Sequence, residues 1–340
     1  MKLLPPPIMF HLVLFISCFY FGKAIDCGGK QVVNTINVDH QRKGAFQTIQ
    51  AAIDSIKNPN DRWVMIKINP GIYKEKVLIP VSKPCIIFKG SNIRMSCIIL
   101  KGSSRHNTII THNKSFHDGG QTMSATFHSS PPNVILSGIK FQNTFGYNGP
   151  AVAASIHGDK TAIFDCSFIG YQDTLLSAQG RQYFRNCYIQ GEVDFICGDG
   201  QSYFENCVMN ATQGKSRPSG FVTAQRRDNP NDPSGFVFRG GSIVGNGKVK
   251  LGRPWRPYAR VIFWGTYFSS VVSPRGWDVW NSKIAQVKDT TFAEVNCRGP
   301  GANTKKRVKW EKKPKDLNLN KYTLSSFINN DRWLDNLPSI

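Results

Sequence analysis

Three segments of this chain repeat one another about every 20 residues: AIFDCSFIG (162–170), QYFRNCYIQG (182–191) and SYFENCVMN (202–210). Each carries an aromatic residue, one or two polar residues, a cysteine and a β-rich stretch. Phe164, Phe184 and Phe204 are spaced by 20 and 20, whereas Cys166, Cys187 and Cys207 are spaced by 21 and 20, which assigns the extra residue to Arg185 or Asn186. Fainter copies are VILSGIKFQNT (134–144), FVFRGGSIVG (236–245) and VIFWGTYFS (261–269). A fixed short period without helical periodicity means stacked strand-and-turn units, and one coil of a parallel β-helix has this size. The chain is therefore expected to be all-β, a solenoid in which equivalent positions of neighbouring coils lie about 4.8 Å apart. The Phe row and the Cys row become internal stacks. With three cysteines in one row, the spacing does not choose a bridged pair.

Upstream of the repeats, GAFQTIQAAIDSIK (44–57) places Phe46, Ile49, Ala52, Ile53 and Ile56 at spacings of three and four, an amphipathic helix. It is expected to cap the open N-terminal end of the solenoid, where bare strand edges invite pairing. After about residue 297 the composition turns basic, and YTLSSFINNDRWL (322–334) is an apolar segment expected to fold back over the coils.

Residues 1–24 combine Lys2, an apolar run from Ile8 to Phe21 and a small-residue end at Gly22 and Ala24, the pattern of a secretory signal. The run is interrupted by His11 and Ser17, which argues against a membrane anchor. The organisation expected is a signal over 1–24 and one catalytic domain over 25–340, ending in a basic tail from about 298. The whole chain has a formal charge of +21, and loss of Lys2 and Lys23 with the signal lowers it to +19. A secreted protein so basic is expected to meet an acidic polysaccharide rather than nucleic acid. KKRVKWEKKPK (305–315) resembles a nuclear signal, but behind a secretory leader it reads as a solvated basic tail. Asn113 and Asn210 begin N-x-S/T sequences, acceptors for glycosylation on that route. C-x-x-C and H-x-x-x-H spacings are absent, and His106, His112 and His117 read as loop residues, so neither a metal nor another cofactor is expected.

The stretch GYQDTLLSAQGRQYFRNCYIQGEVDFICG (170–198) holds two aspartates in apolar surroundings. A period of 20 to 21 sets Gly170 on Gly191, Gln172 on Val193 and Asp173 on Asp194. Two carboxylates one strand apart cannot both ionise comfortably, so one becomes an acid while the other stays a base or nucleophile. Stacked aspartates also cap turns in solenoids, which is the plainer reading. Two features favour chemistry: the amide of Gln172, suited to an oxyanion, and a cation downstream in KLGRPWRPYAR (250–260). Arg253, fixed between Gly252 and Pro254, is the cation expected to hold Asp194 ionised, and Trp255 offers a flat face for a sugar ring. Such a set can cleave an ester without serine, histidine or metal, and G-x-S-x-G is absent.

GYQDTL (170–175), VDFICG (193–198) and LGRPW (251–255), with GIYKEKV (71–77) and FQTIQAAID (46–54), resemble the plant pectinesterases, or pectin methylesterases, from about residue 35 onward. The resemblance implies a right-handed parallel β-helix of the cell wall that hydrolyses methyl esters of polygalacturonan to carboxylate and methanol. By motif position, Asp194 attacks the ester, Arg253 orients it, and Asp173 protonates the leaving methanol and then activates water. Gln172 steadies the oxyanion and Trp255 lines the sugar subsite. It further implies a Cys187–Cys207 disulfide, the shorter family branch without a pro-region, a monomer, and a proteinaceous inhibitor as a second partner class. Two positions depart from the family: Pro150 in PAVAA (150–154), where a first oxyanion glutamine is frequent, and Cys197, where phenylalanine is usual. The rival readings are a polygalacturonase or lyase on the same scaffold and a catalytically silent pectin-binding protein.

Overall fold

A computed structural model describes residues 27–57, 60–81, 97–212, 219–280 and 287–339; the leader expected over 1–24 lies outside them. Every strand pairing among the described residues is parallel, in three sheets of ten, eight and seven strands. One coil contributes one strand to each sheet: Thr161–Phe164, Ser167–Ile169 and Leu175–Ser177 are followed by Arg181–Arg185, Tyr188–Gly191 and Ile196–Gly198. The chain forms a right-handed parallel β-helix, the fold that the repeat and the resemblance lead one to expect.

The register follows the cysteines, not the phenylalanines. Ile163 pairs with Phe184, Phe184 with Phe204, Phe204 with Phe238 and Phe238 with Phe263. Phe164 therefore lies one position out of the internal row: it pairs with Arg185, whose guanidinium carbon stands 4.9 Å from its ring centre. The expected Phe164–Phe184–Phe204 ladder is thus corrected to one of Phe184, Phe204, Phe238 and Phe263. Its consecutive rings stack with centroids 4.5 Å apart. Each stacked pair is worth about 0.5–1.5 kcal/mol beyond the area it buries, which helps to hold one coil in register on the next.

The polar residues ahead of the cysteines make the turn from the first sheet to the second. Asp165, Asn186 and Asn206 sit at φ 53°, 57° and 53°. Aspartate and asparagine tolerate this left-handed region better than most residues. Their N–H groups reach the next coil, Asp165 to Arg185 O at 3.0 Å and Asn186 to Glu205 O at 3.0 Å.

The helix is shorter than its periodicity suggests, Ile49–Asp54, because the Thr48 hydroxyl caps its start by accepting from Ala51 N at 3.2 Å. Ile49, Ala52 and Ile53 face the core. Phe46 stays outside the helix, in a bridge with Val38. The helix packs on the strands Val32–Val38, Trp63–Ile68 and Val77–Ile79.

Phe327, Ile328 and Trp333 cover outward-facing residues of the ten-stranded sheet, including Tyr183, Tyr203 and Val237. The basic run 305–315 exposes Lys305, Lys306, Lys309, Lys313 and Lys315 as its composition suggests, but two of its charged residues are buried. Arg307 is buried and forked onto Glu294, Nε to Oε1 at 2.5 Å and Nη2 to Oε2 at 3.0 Å. Glu311 is buried beside the Trp277 indole, whose Nε1 donates to Oε1 at 3.4 Å.

The expected Cys187–Cys207 bridge is not formed, and both thiols are free. Each sulfur is turned to a backbone carbonyl, Cys187 to Arg185 O and Cys207 to Glu205 O, both at 3.5 Å. The disulfide among the described residues joins Cys27 to Cys97.

Candidate active site

Asp173 and Asp194 occupy the turn that enters the third sheet. Gln172 bridges Val193, and Leu175 pairs with Ile196, so the aspartates are lateral neighbours one coil apart. Both have positive φ, 59° and 49°. The plainer reading is thus correct as far as backbone goes, since these are turn positions that aspartate tolerates. Burial goes further: Asp173 is 6% exposed and Asp194 3%. Gly170 and Gly191 are required just ahead of them. A Cβ on Gly191 would meet Phe195 Cβ at 2.3 Å, and one on Gly170 would meet Thr174 Oγ1 at 2.7 Å.

Arg253 lies two coils beyond Asp194, on the strand Val249–Pro254, where it pairs with Ala224 of the intervening coil. It forks onto Asp194, Nε to Oδ1 at 2.9 Å and Nη2 to Oδ2 at 2.5 Å. Its guanidinium carbon is 4.2 Å from the Phe221 ring centre and 4.0 Å from that of Trp280. These aromatic faces fix the plane of the fork and shield it from water. The sequence reading missed both aromatics, because neither has a distinctive spacing from Arg253.

Asp173 is the other half of the pair. Burial first, and then the Asp194 charge, push its pKa up to about 7, against the opposing pull of a Gln121 hydrogen bond and of Arg253. Gln121 Nε2 donates to Asp173 Oδ2 at 2.5 Å. Gln121 is 52 residues away in sequence, and no motif marked it. The result is one carboxylate neutralised by arginine beside one carboxyl that keeps a proton near neutral pH, the division of labour an acid and a nucleophile need.

Trp255 and Trp280 lie nearly parallel, 9° between planes and 6.3 Å between centres, and pack on Ala125, Val152, Leu176, Ala178, Cys197 and Ala224. Cys197 thus joins a floor of small side chains beside the aspartates, and burial drives its thiol pKa well up. Pro150 bridges Gln172 on the far side from Val193, so residues 150, 172 and 193 are stacked in that order. Asn113 is exposed; Asn210 is half-buried in the strand Val208–Ala211, and its Nδ2 donates to Gln190 Oε1 at 3.2 Å.

The whole chain can be placed among related proteins. The pectinesterase family model matches residues 35–331. The Arabidopsis thaliana protein named "Putative pectinesterase 10" is 40% identical over 339 residues, covering 97% of this chain and 95% of its own. The chain belongs to the pectinesterase family. A solved pectin methylesterase from carrot, 29% identical, superposes with a TM-score of 0.80 over 90% of this chain and 95% of its own. One from Aspergillus niger, 25% identical, gives 0.75 over 91% and 98%. As a pectinesterase the protein is a carboxylic ester hydrolase.

Proposed function

We propose that this chain hydrolyses the methyl esters of polygalacturonan through a covalent aspartyl intermediate. Asp194, ionised and aimed by Arg253, adds an oxygen to the ester carbonyl carbon. The carbonyl π electrons move to oxygen, and the Gln172 amide, next to the nucleophile's coil neighbour, donates to that oxyanion. As the tetrahedral centre collapses, Asp173 gives its proton to the methoxy oxygen and methanol leaves. An anhydride then joins Asp194 to the galacturonyl carbon. Asp173, now a carboxylate, takes a proton from water; the hydroxide adds to the same carbon, Asp194 departs, and a free uronate remains. Trp255 supplies an apolar face for a sugar ring.

The observation that carries this reading is the fork from Arg253 to Asp194 beside an Asp173 whose pKa is raised to about 7. The formal charge of +21 favours a polyanionic substrate. The reading places the protein outside the cell, in the wall, with 1–24 as its leader and Asn113 the better exposed of its two glycan acceptors. Methanol released from methylated pectin, assayed beside uronide chain length, tests it. Methanol with unchanged chain length is the expected result. Chain shortening without methanol would indicate a depolymerase on this scaffold, and neither would indicate a silent binder.

A further inference from the structure

We infer that Gln121 is a positioning residue for Asp173: its amide fixes which carboxyl oxygen carries the proton that the leaving methanol receives. This inference rests on the two-carboxylate reading above and assigns a residue that reading does not use. Gln121 Nε2 donates to Asp173 Oδ2 at 2.5 Å. That oxygen, engaged as an acceptor, leaves the proton to the other one.

Gln121 is itself held firmly. It begins the short helix Gln121–Ser124, where Ser124 Oγ donates to Gln121 O at 2.7 Å and accepts from Val152 N at 3.3 Å. Asn143 Nδ2 lies 3.1 Å from Ser124 O and 3.0 Å from Val152 O, tying the helix to the coil that holds Pro150. Phe116 N donates to Pro150 O at 2.8 Å, and Lys76 Nζ to Met123 O at 2.7 Å. A side chain carried on a segment whose backbone is anchored at this many points sets the direction of the group it touches, whereas one on a loose segment would follow it. Residue 150, beside Gln172, is a proline and carries no side-chain amide. The loop packed on that proline brings an amide to the pair from another direction.

The charged and titratable groups around Asp173 are Asp194, Arg253 and the Cys197 thiol; Lys76, Lys114 and Asp118 belong to the loop's own surroundings. Removing the Gln121 donor takes away an interaction that favours ionised Asp173, so its proton should be held to higher pH.

The test is Gln121→Met, close in volume but without donor or acceptor, with Gln121→Leu as a second variant should the first fold poorly. The kcat for methanol release is expected to fall by about 10- to 100-fold with KM within about twofold, since misaiming a catalytic group can cost about 100-fold. The alkaline limb of the pH–rate profile is expected to move up. A carboxyl titration by carbon-13 NMR, with the Asp173 signal identified from Asp173→Asn, reads the same shift without turnover. An unchanged Asp173 titration and an unchanged kcat in an active parent would overturn the assignment of Gln121 and leave the esterase reading standing. If the parent releases no methanol, the esterase reading fails, and the titration still decides Gln121: an upward shift supports the contact, and none overturns it.

Discussion

Arg253 meets Asp194 edge to edge, Nε on Oδ1 at 2.9 Å and Nη2 on Oδ2 at 2.5 Å, across 59 residues of sequence. Both oxygens of the proposed nucleophile are thereby committed to one planar partner. A lysine can neutralise that charge but cannot reproduce the fork or the stacking between Phe221 and Trp280. Arg253→Lys is expected to lower kcat for methanol release by about 100-fold or more, in line with the cost of misorienting a catalytic group. Activity within about threefold of the parent would remove Arg253 from its assigned place.

The raised pKa of Asp173 has a sign that stability can read. Its folded value, about 7, lies above the ordinary aspartate value of 3.8, so the folded chain holds a proton the unfolded chain has lost. That contribution is fully present below about pH 4 and is lost as pH rises through 7. Asp173→Asn removes a buried ionisable group and keeps a residue that tolerates positive φ. The variant should be inactive, and its Tm advantage over the parent should widen from pH 5 to pH 8. A gap that stays constant or narrows would mean that Asp173 is not held protonated by the fold.

Trp280 touches Arg253 on one side and parallels Trp255 on the other. Trp280→Ala should therefore harm both constants, lowering kcat through the loosened fork and raising KM through the lost apolar wall. A change in KM alone, measured on methylated oligogalacturonides, would separate Trp280 from the arginine.

Pro150 and Gln172 are bridged in register, so a side chain at 150 projects alongside that of Gln172. Pro150→Gln should add a second amide near the oxyanion and raise kcat by up to about 100-fold, with KM little changed. A variant no faster than the parent, with its fold intact by circular dichroism, would show that the donors already present suffice.

The solenoid was legible because one coil repeats in sequence what the next coil repeats in space. The period also placed Asp173 over Asp194, since stacking at one-coil spacing needs no knowledge of side chains. Phe164 misled because an aromatic two residues before a cysteine looks like an aromatic three before one; only the register, set by Cys166, Cys187 and Cys207, distinguishes the inward Phe184 from the outward Phe164. Arg253 was recoverable from its Gly and Pro neighbours and its motif. Gln121, Phe221 and Trp280 were not, because their contacts with the site arise from a folded-over loop and from neighbouring coils, with no local pattern to mark them. Arg307 shows the same limit in another form: it is the single arginine of KKRVKWEKKPK, yet nothing in the run names Glu294, 13 residues upstream, as the partner it is buried on.

The central claim is that Asp194 is the nucleophile, and methanol release by Asp194→Asn from highly methylated pectin tests it most directly. The account predicts none above the enzyme-free blank, in a variant whose circular dichroism and Tm show a folded solenoid. Release within about tenfold of the parent would contradict it, because an amide cannot form the anhydride on which the route depends.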